Sequence, residues 1–72
     1  MHITKREREI LTLLTLSNQK IADRLGVSLN TVRRHVHNLL SKFGNAETRI
    51  NLLITALKTN IIKLDEIKEN EQ

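Results

Sequence analysis

The sequence of 72 residues predicts an all-α fold of four helices, on three observations. Apolar residues recur at three- and four-residue steps along most of the chain, the spacing that puts them on one face of a helix. Two Gly and no Pro leave few points at which a helix must break. Side chains able to cap a helix N-terminus stand just ahead of three of the apolar stripes.

Thr4-Lys5-Arg6-Glu7 is a capping box: the Thr hydroxyl accepts from the Glu7 amide while the Glu carboxylate reaches back to the cap amide. It opens a first helix whose buried stripe is Ile10, Leu11, Leu13 and Leu14. Ser17 caps a short second helix that buries Ile21 and Leu25 and ends at Gly26, where a left-handed C-cap costs least. Ser28 caps the third helix, and Leu29, Val32, Val36, Leu39 and Phe43 define its buried face until Gly44 and Asn45 close it. A fourth helix, from about residue 46 to residue 59, is expected to bury Ile50, Leu53, Ile54 and Leu57, with Asn60 in a left-handed cap. Residues 1–62 form one domain, and 63–72 are expected to be a frayed polar tail.

Composition narrows the function. A chain of this length buries only roughly 60% of its unfolded surface, which gives an enclosed active site little support. No Cys means no disulfide framework and no thiolate zinc site, which points to a reducing compartment such as the cytoplasm. The longest apolar run, Leu52-Leu53-Ile54, is far too short to cross a membrane. The formal charge of +4, with a pI near 10.0, favours a polyanionic partner. That charge is unevenly distributed. The last ten residues set Lys63 and Lys68 against Asp65, Glu66, Glu69 and Glu71, so a tail at −2 follows a body at +6.

The second and third helices form a helix-turn-helix around Gly26-Val27-Ser28. Ala22 is small enough for one helix to cross closely over the other, Gly26 makes the turn, and Val32 fills the angle between them. With Val32 at the centre of the buried face and about 100° per residue, Asn30, Arg33, Arg34, His37 and Ser41 fall on the solvent side of the third helix. The major groove of B-DNA admits one α-helix, and Arg donates twice to guanine O6 and N7. Arg33, Arg34, His37 and Asn30 are therefore the candidates for base contacts, in a recognition helix spanning about residues 29–43. Ser17, Asn18, Gln19 and Lys20 form the first turn of the second helix, where amides and the helix dipole favour a phosphate. Thr31, Ser41 and Lys42 are further backbone-contact candidates. The plainer alternative reads Ser17 as a cap only and Lys20 as a surface lysine.

The remaining motifs are bland. His35 and His37, two apart on a helix, point in different directions and no Cys or helical carboxylate joins them, so no metal is expected. His35 reads as a partly buried residue beside the core stripe. No Gly-rich phosphate loop and no nucleophile set is present, so neither a cofactor nor catalysis is expected. On the fourth helix, the side opposite the expected core carries Thr48, Leu52, Thr55, Ala56 and Thr59, an uncharged stripe suited to pairing with a second copy.

These residues resemble the LuxR-type (GerE-type) helix-turn-helix, the DNA-binding domain of NarL/FixJ-like response regulators. Residues 3–11 (ITKREREIL) are similar to its opening block, 17–22 (SNQKIA) to its second-helix block, and 27–44, with TVRRHV at 31–36, to its turn and recognition helix. The resemblance covers about Ile3 to Ile62. It implies that Arg33, Arg34 and His37 sit at base-contacting positions, and that the domain binds double-stranded DNA as a homodimer through its fourth helix. It also implies a receiver or sensor domain joined to the reader in a longer parent chain. The departures are specific. The first link is about two residues shorter and lacks the usual Gly, Lys20 stands for a usual Glu, one residue is added between Lys42 and Arg49, and Leu52 replaces a usual Ala.

The leading reading is a sequence-specific double-stranded-DNA-binding transcriptional regulator that occupies a two-half-site operator as a dimer. The alternatives are a sigma-factor-like promoter-reading domain and a protein-interaction module on the same fold. The capping box before the first helix and the additional fourth helix favour the regulator.

Overall fold

The computed structural model describes residues 2–44 and 46–68. Among them run four α-helices, α1 (Lys5–Thr12), α2 (Asn18–Leu25), α3 (Leu29–Lys42) and α4 (Arg49–Lys58), followed by a 3₁₀ turn at Leu64–Glu66. Each α-helix opens on a hydroxyl that accepts from the amide three residues on: Thr4 from Glu7, Ser17 from Lys20, Ser28 from Thr31 and Thr48 from Asn51. Such a cap stabilises a helix by about 1 kcal/mol, a large share for helices of eight to fourteen residues that are marginal alone. The Thr4–Glu7 capping box is complete in both directions.

α1 ends at Thr12, a turn earlier than its apolar run. Leu13, Leu14 and Leu16 continue inward through tight turns, with the Leu13 amide on the Ile10 carbonyl and the Leu16 amide on the Leu13 carbonyl, both at 2.9 Å. All three leucines are buried, so the short α1–α2 link is itself a wall of the core. α2 stops at Gly26, whose φ of 67° lies in the left-handed region that a Cβ makes costly. The amides of Gly26 and Val27 both donate to the Ala22 carbonyl. Ser28 then starts α3 almost at once, which sets the angle of the helix-turn-helix.

α3 is the central helix and packs against α1, α2 and α4. Ile10, Leu11, Ile21, Val32 and Leu39 are fully buried around it, Val36 continues the stripe between Val32 and Leu39, and Phe43 closes its C-terminal end. Leu25, expected in the core, is half-buried at its margin; Leu29, also expected there, is only half-buried, as is His35.

The orientation of α4 corrects the sequence reading. Leu52 and Ala56 are fully buried, whereas Ile50 is 69% and Ile54 42% exposed and Leu53 and Leu57 are only half-buried. Leu52 and Ala56 therefore belong to the monomer's core and form no docking face; Thr48 and Thr59 are exposed and Thr55 half-buried beside them. Apolar side chains cover about 200° of this helix at about 100° per residue, so periodicity leaves its inward direction undecided. Arg49 decides it by entering the interior with Leu52 and Ala56. Asn60 adopts the expected left-handed conformation, with φ 61°.

The C-terminal segment gives a second correction. Residues 63–68, expected to fray, return alongside α1. The Lys68 amide donates to the Thr12 carbonyl at 2.7 Å, the Thr15 hydroxyl donates to the Lys68 carbonyl, and Arg8 pairs with Glu66 at 2.7 Å while donating to the Ile61 carbonyl. Ile62 is buried and Ile67 packs on the core. Residues 69–72 lie outside the described residues. No helix among the described residues is long and apolar enough to cross a membrane.

Candidate nucleic-acid interface

The outer edge of α3 is built by what its inner edge buries. With Val32, Val36 and Leu39 fixed inward, Asn30, Arg33, Arg34, His37 and Ser41 are all exposed. Among the described residues, the side chains of Asn30, Arg33, Arg34 and His37 make no hydrogen bond or ion pair within the chain. Two guanidiniums, a carboxamide and an imidazole thus stand on one edge, from the first turn of the helix to just past its middle, with their donors available. Thr31 is different. It is half-buried and its hydroxyl lies 2.8 Å from that of Ser28, so it secures the turn and is poorly placed as a backbone contact.

The first turn of α2 sorts in the same way. Ser17 is committed to the Lys20 amide at 3.2 Å, and the Gln19 Nε2 donates to Asp23 at 3.0 Å one turn on. Among the described residues the backbone N–H groups of Asn18 and Gln19 are the main-chain donors left at this helix end. Gln19 and Lys20 are exposed, whereas Asn18 is half-buried because its Oδ1 accepts from Arg49.

Lys42, expected at the DNA backbone, is spent inside the fold. Its ammonium lies 2.7 Å from Glu7 Oε1 and 3.1 Å from the His2 carbonyl. Burial of Glu7 opposes its ionisation. The Lys42 hydrogen bond, the Thr4 amide and the Lys42 charge outweigh this and hold the carboxyl below its ordinary pKa of 4.5.

Arg49 escaped the sequence reading. It is half-buried at the start of α4, and desolvation pulls its pKa downward. One guanidinium nitrogen donates to Asn18 Oδ1; the other donates to the Leu14 and Leu16 carbonyls at 3.1 and 2.5 Å. The planar fork of Arg suits such divergent acceptors. Its partners lie more than thirty residues away in sequence, and no local pattern announces them.

An open depression of about 460 Å³ lies between α1 and the C-terminal segment, lined by Lys5, Arg8, Glu9, Thr12, Asp65, Glu66 and Lys68, and shares no residue with the α3 edge. No group of three His, Cys, Asp or Glu among the described residues is placed to hold a metal.

Comparison with known proteins agrees with this geometry. The family of bacterial regulatory proteins described as luxR (GerE) matches residues 1–56. The chain is 40% identical over 62 residues to the uncharacterized transcriptional regulatory protein YxjL of Bacillus subtilis, an overlap of 83% of this chain and 28% of YxjL. It is 40% identical over 63 residues to the response regulator protein VraR of Staphylococcus aureus, covering 85% of this chain and 30% of VraR. The chain therefore spans less than a third of the length of these relatives. No solved structure matches it. With a matching helix-turn-helix, a basic edge on its second helix and relatives of this kind, the chain belongs to the LuxR family and is a DNA-binding domain of a transcriptional regulator.

Proposed function

We propose that this domain reads a specific double-stranded DNA sequence by laying α3 in the major groove, one half of a symmetric dimer on a two-half-site operator. The observation that carries the reading is the α3 edge, where Arg33, Arg34, Asn30 and His37 are exposed and, among the described residues, their side chains make no hydrogen bond or ion pair. Arg33 and Arg34 supply the bidentate geometry that distinguishes guanine, and Asn30 and His37 extend the contact to either side. Lys20 and the first-turn amides of α2 hold the phosphate backbone and set the register, and Ser41 lies farther along the same edge of α3. Thr31 and Lys42 take no part.

The second copy docks on the exposed apolar arc of α4. Ile50 and Ile54, flanked by the half-buried Leu53 and Leu57, present branched side chains that gain from being covered. A helix-on-helix contact there pairs the two copies about a two-fold axis, which a palindromic operator matches. The domain acts on DNA in the cytoplasm, as the output of a receiver or sensor domain, in keeping with relatives of which it covers less than a third.

Selection from genomic DNA fragments at moderate salt tests this reading. It predicts one enriched motif in two inverted copies. Enrichment without any motif overturns sequence-specific reading, and a single unpaired motif overturns the dimer.

A further inference from the structure

Arg49 is held by three acceptors, none of them the carboxylate a buried guanidinium ordinarily takes. Among the described residues it forms no ion pair; three neutral oxygens, from Leu14, Leu16 and Asn18, surround its guanidinium. Its positive charge thus stays uncompensated beside the α1–α2 link and the first turn of α2. A guanidinium only donates, and a carboxamide has one accepting and one donating end. The bond from Arg49 therefore fixes which way round Asn18 lies: Oδ1 is taken, and Nδ2 is the end left over. Among the described residues Nδ2 has no acceptor within the chain.

We infer that Arg49 is a positioning residue for DNA binding, which from α4 orients the Asn18 carboxamide so that Nδ2 donates to a phosphate of the DNA backbone. Arg49 touches no DNA itself. It ties three parts of the molecule together: the helix proposed to pair with a second copy, the link that starts α2, and a donor at the end of α2. The inference rests on the reading that the first turn of α2 faces the DNA backbone. A phosphate contact carries no sequence information, so its loss weakens binding equally on every sequence. Because Asn18 is neutral, that loss leaves the slope of log Kd against log salt unchanged, unlike loss of a lysine contact.

The test measures Kd for Arg49→Lys, Arg49→Met, Asn18→Ala and the double variant Asn18→Ala/Arg49→Lys. The probes are a duplex carrying the selected motif and a scrambled duplex of equal length, with circular dichroism used to keep each protein in its folded range. A hydrogen bond to a charged acceptor corresponds to roughly a tenfold change in Kd. Arg49→Lys keeps the charge but lacks the fork, and it holds the test open should Arg49→Met not fold. The expected result is a loss of roughly tenfold on both duplexes for Arg49→Lys and for Asn18→Ala, with the double variant no weaker than either. If Asn18→Ala weakens binding but folded Arg49→Lys does not, or if the two losses multiply, the positioning role is overturned. If Asn18→Ala itself binds both duplexes as tightly as the unaltered chain, the reading of α2 falls and the inference with it.

Discussion

The Lys42 ammonium in the last turn of α3 lies 2.7 Å from Oε1 of Glu7, whose carboxylate is nearly enclosed and is also the capping residue of α1. One carboxylate thus caps the start of α1 and holds the last turn of α3 beside it. Removing either partner leaves the other poorly satisfied, a costlier event than losing an exposed ion pair. Glu7→Gln and Lys42→Met are each expected to lower unfolding free energy by about 1–3 kcal/mol, read from urea titrations.

The same pair makes stability fall in acid. The Glu7 carboxyl is held below its ordinary pKa of 4.5 in the folded chain, so protonation favours the unfolded state. Its contribution is full above the unfolded pKa and is lost as pH falls through the folded one. Urea midpoints for the unaltered chain should decline below about pH 4.5, and Glu7→Gln should show a shallower decline.

The two faces of α4 separate stability from association. Leu52 is fully buried, and Leu52→Ala is expected to cost about 2–5 kcal/mol with little structure left at 37 °C. Ile54, 42% exposed, is expected to tolerate Asp with melting nearly unchanged, while cooperative binding to paired half-sites is lost. Unchanged cooperativity in Ile54→Asp would remove the α4 dimer.

The C-terminal segment is expected to contribute measurably to the fold. Truncation after Ile62 removes the bonds of Lys68 to Thr12 and Thr15, the Arg8–Glu66 pair and the packing of Ile67. A loss of about 1–2 kcal/mol is expected, seen as a lower Tm with DNA binding retained in the cold. An unchanged Tm would show that this segment adds nothing to the folded state.

What could be read from the sequence is what neighbouring residues decide among themselves. Thr4 and Glu7, Ser17, Gly26, Ser28 and Asn60 act within three or four residues of their own position, and each ends or begins a helix where the local chemistry requires. The solvent edge of α3 was equally legible, because its apolar stripe is narrow and leaves one way to turn. α4 was misread because its apolar arc is wide, and the residue that orients it, Arg49, bonds to a link more than thirty positions earlier. Lys42 looked like a free basic residue because its partner Glu7 lies 35 residues away. The tail looked too polar to dock, although Ile67 gives it an apolar anchor and Arg8 an ion pair.

The central claim is that Arg33 and Arg34 read bases. The most direct measurement repeats the genomic-fragment selection with Arg33→Ala and with Arg34→Ala beside the unaltered chain. Each substitution should erase the preference at particular base pairs while the rest of the motif persists, a cost of roughly 1–3 kcal/mol at those positions. A uniformly weaker selection of the same motif would contradict the claim and reassign both arginines to the phosphate backbone.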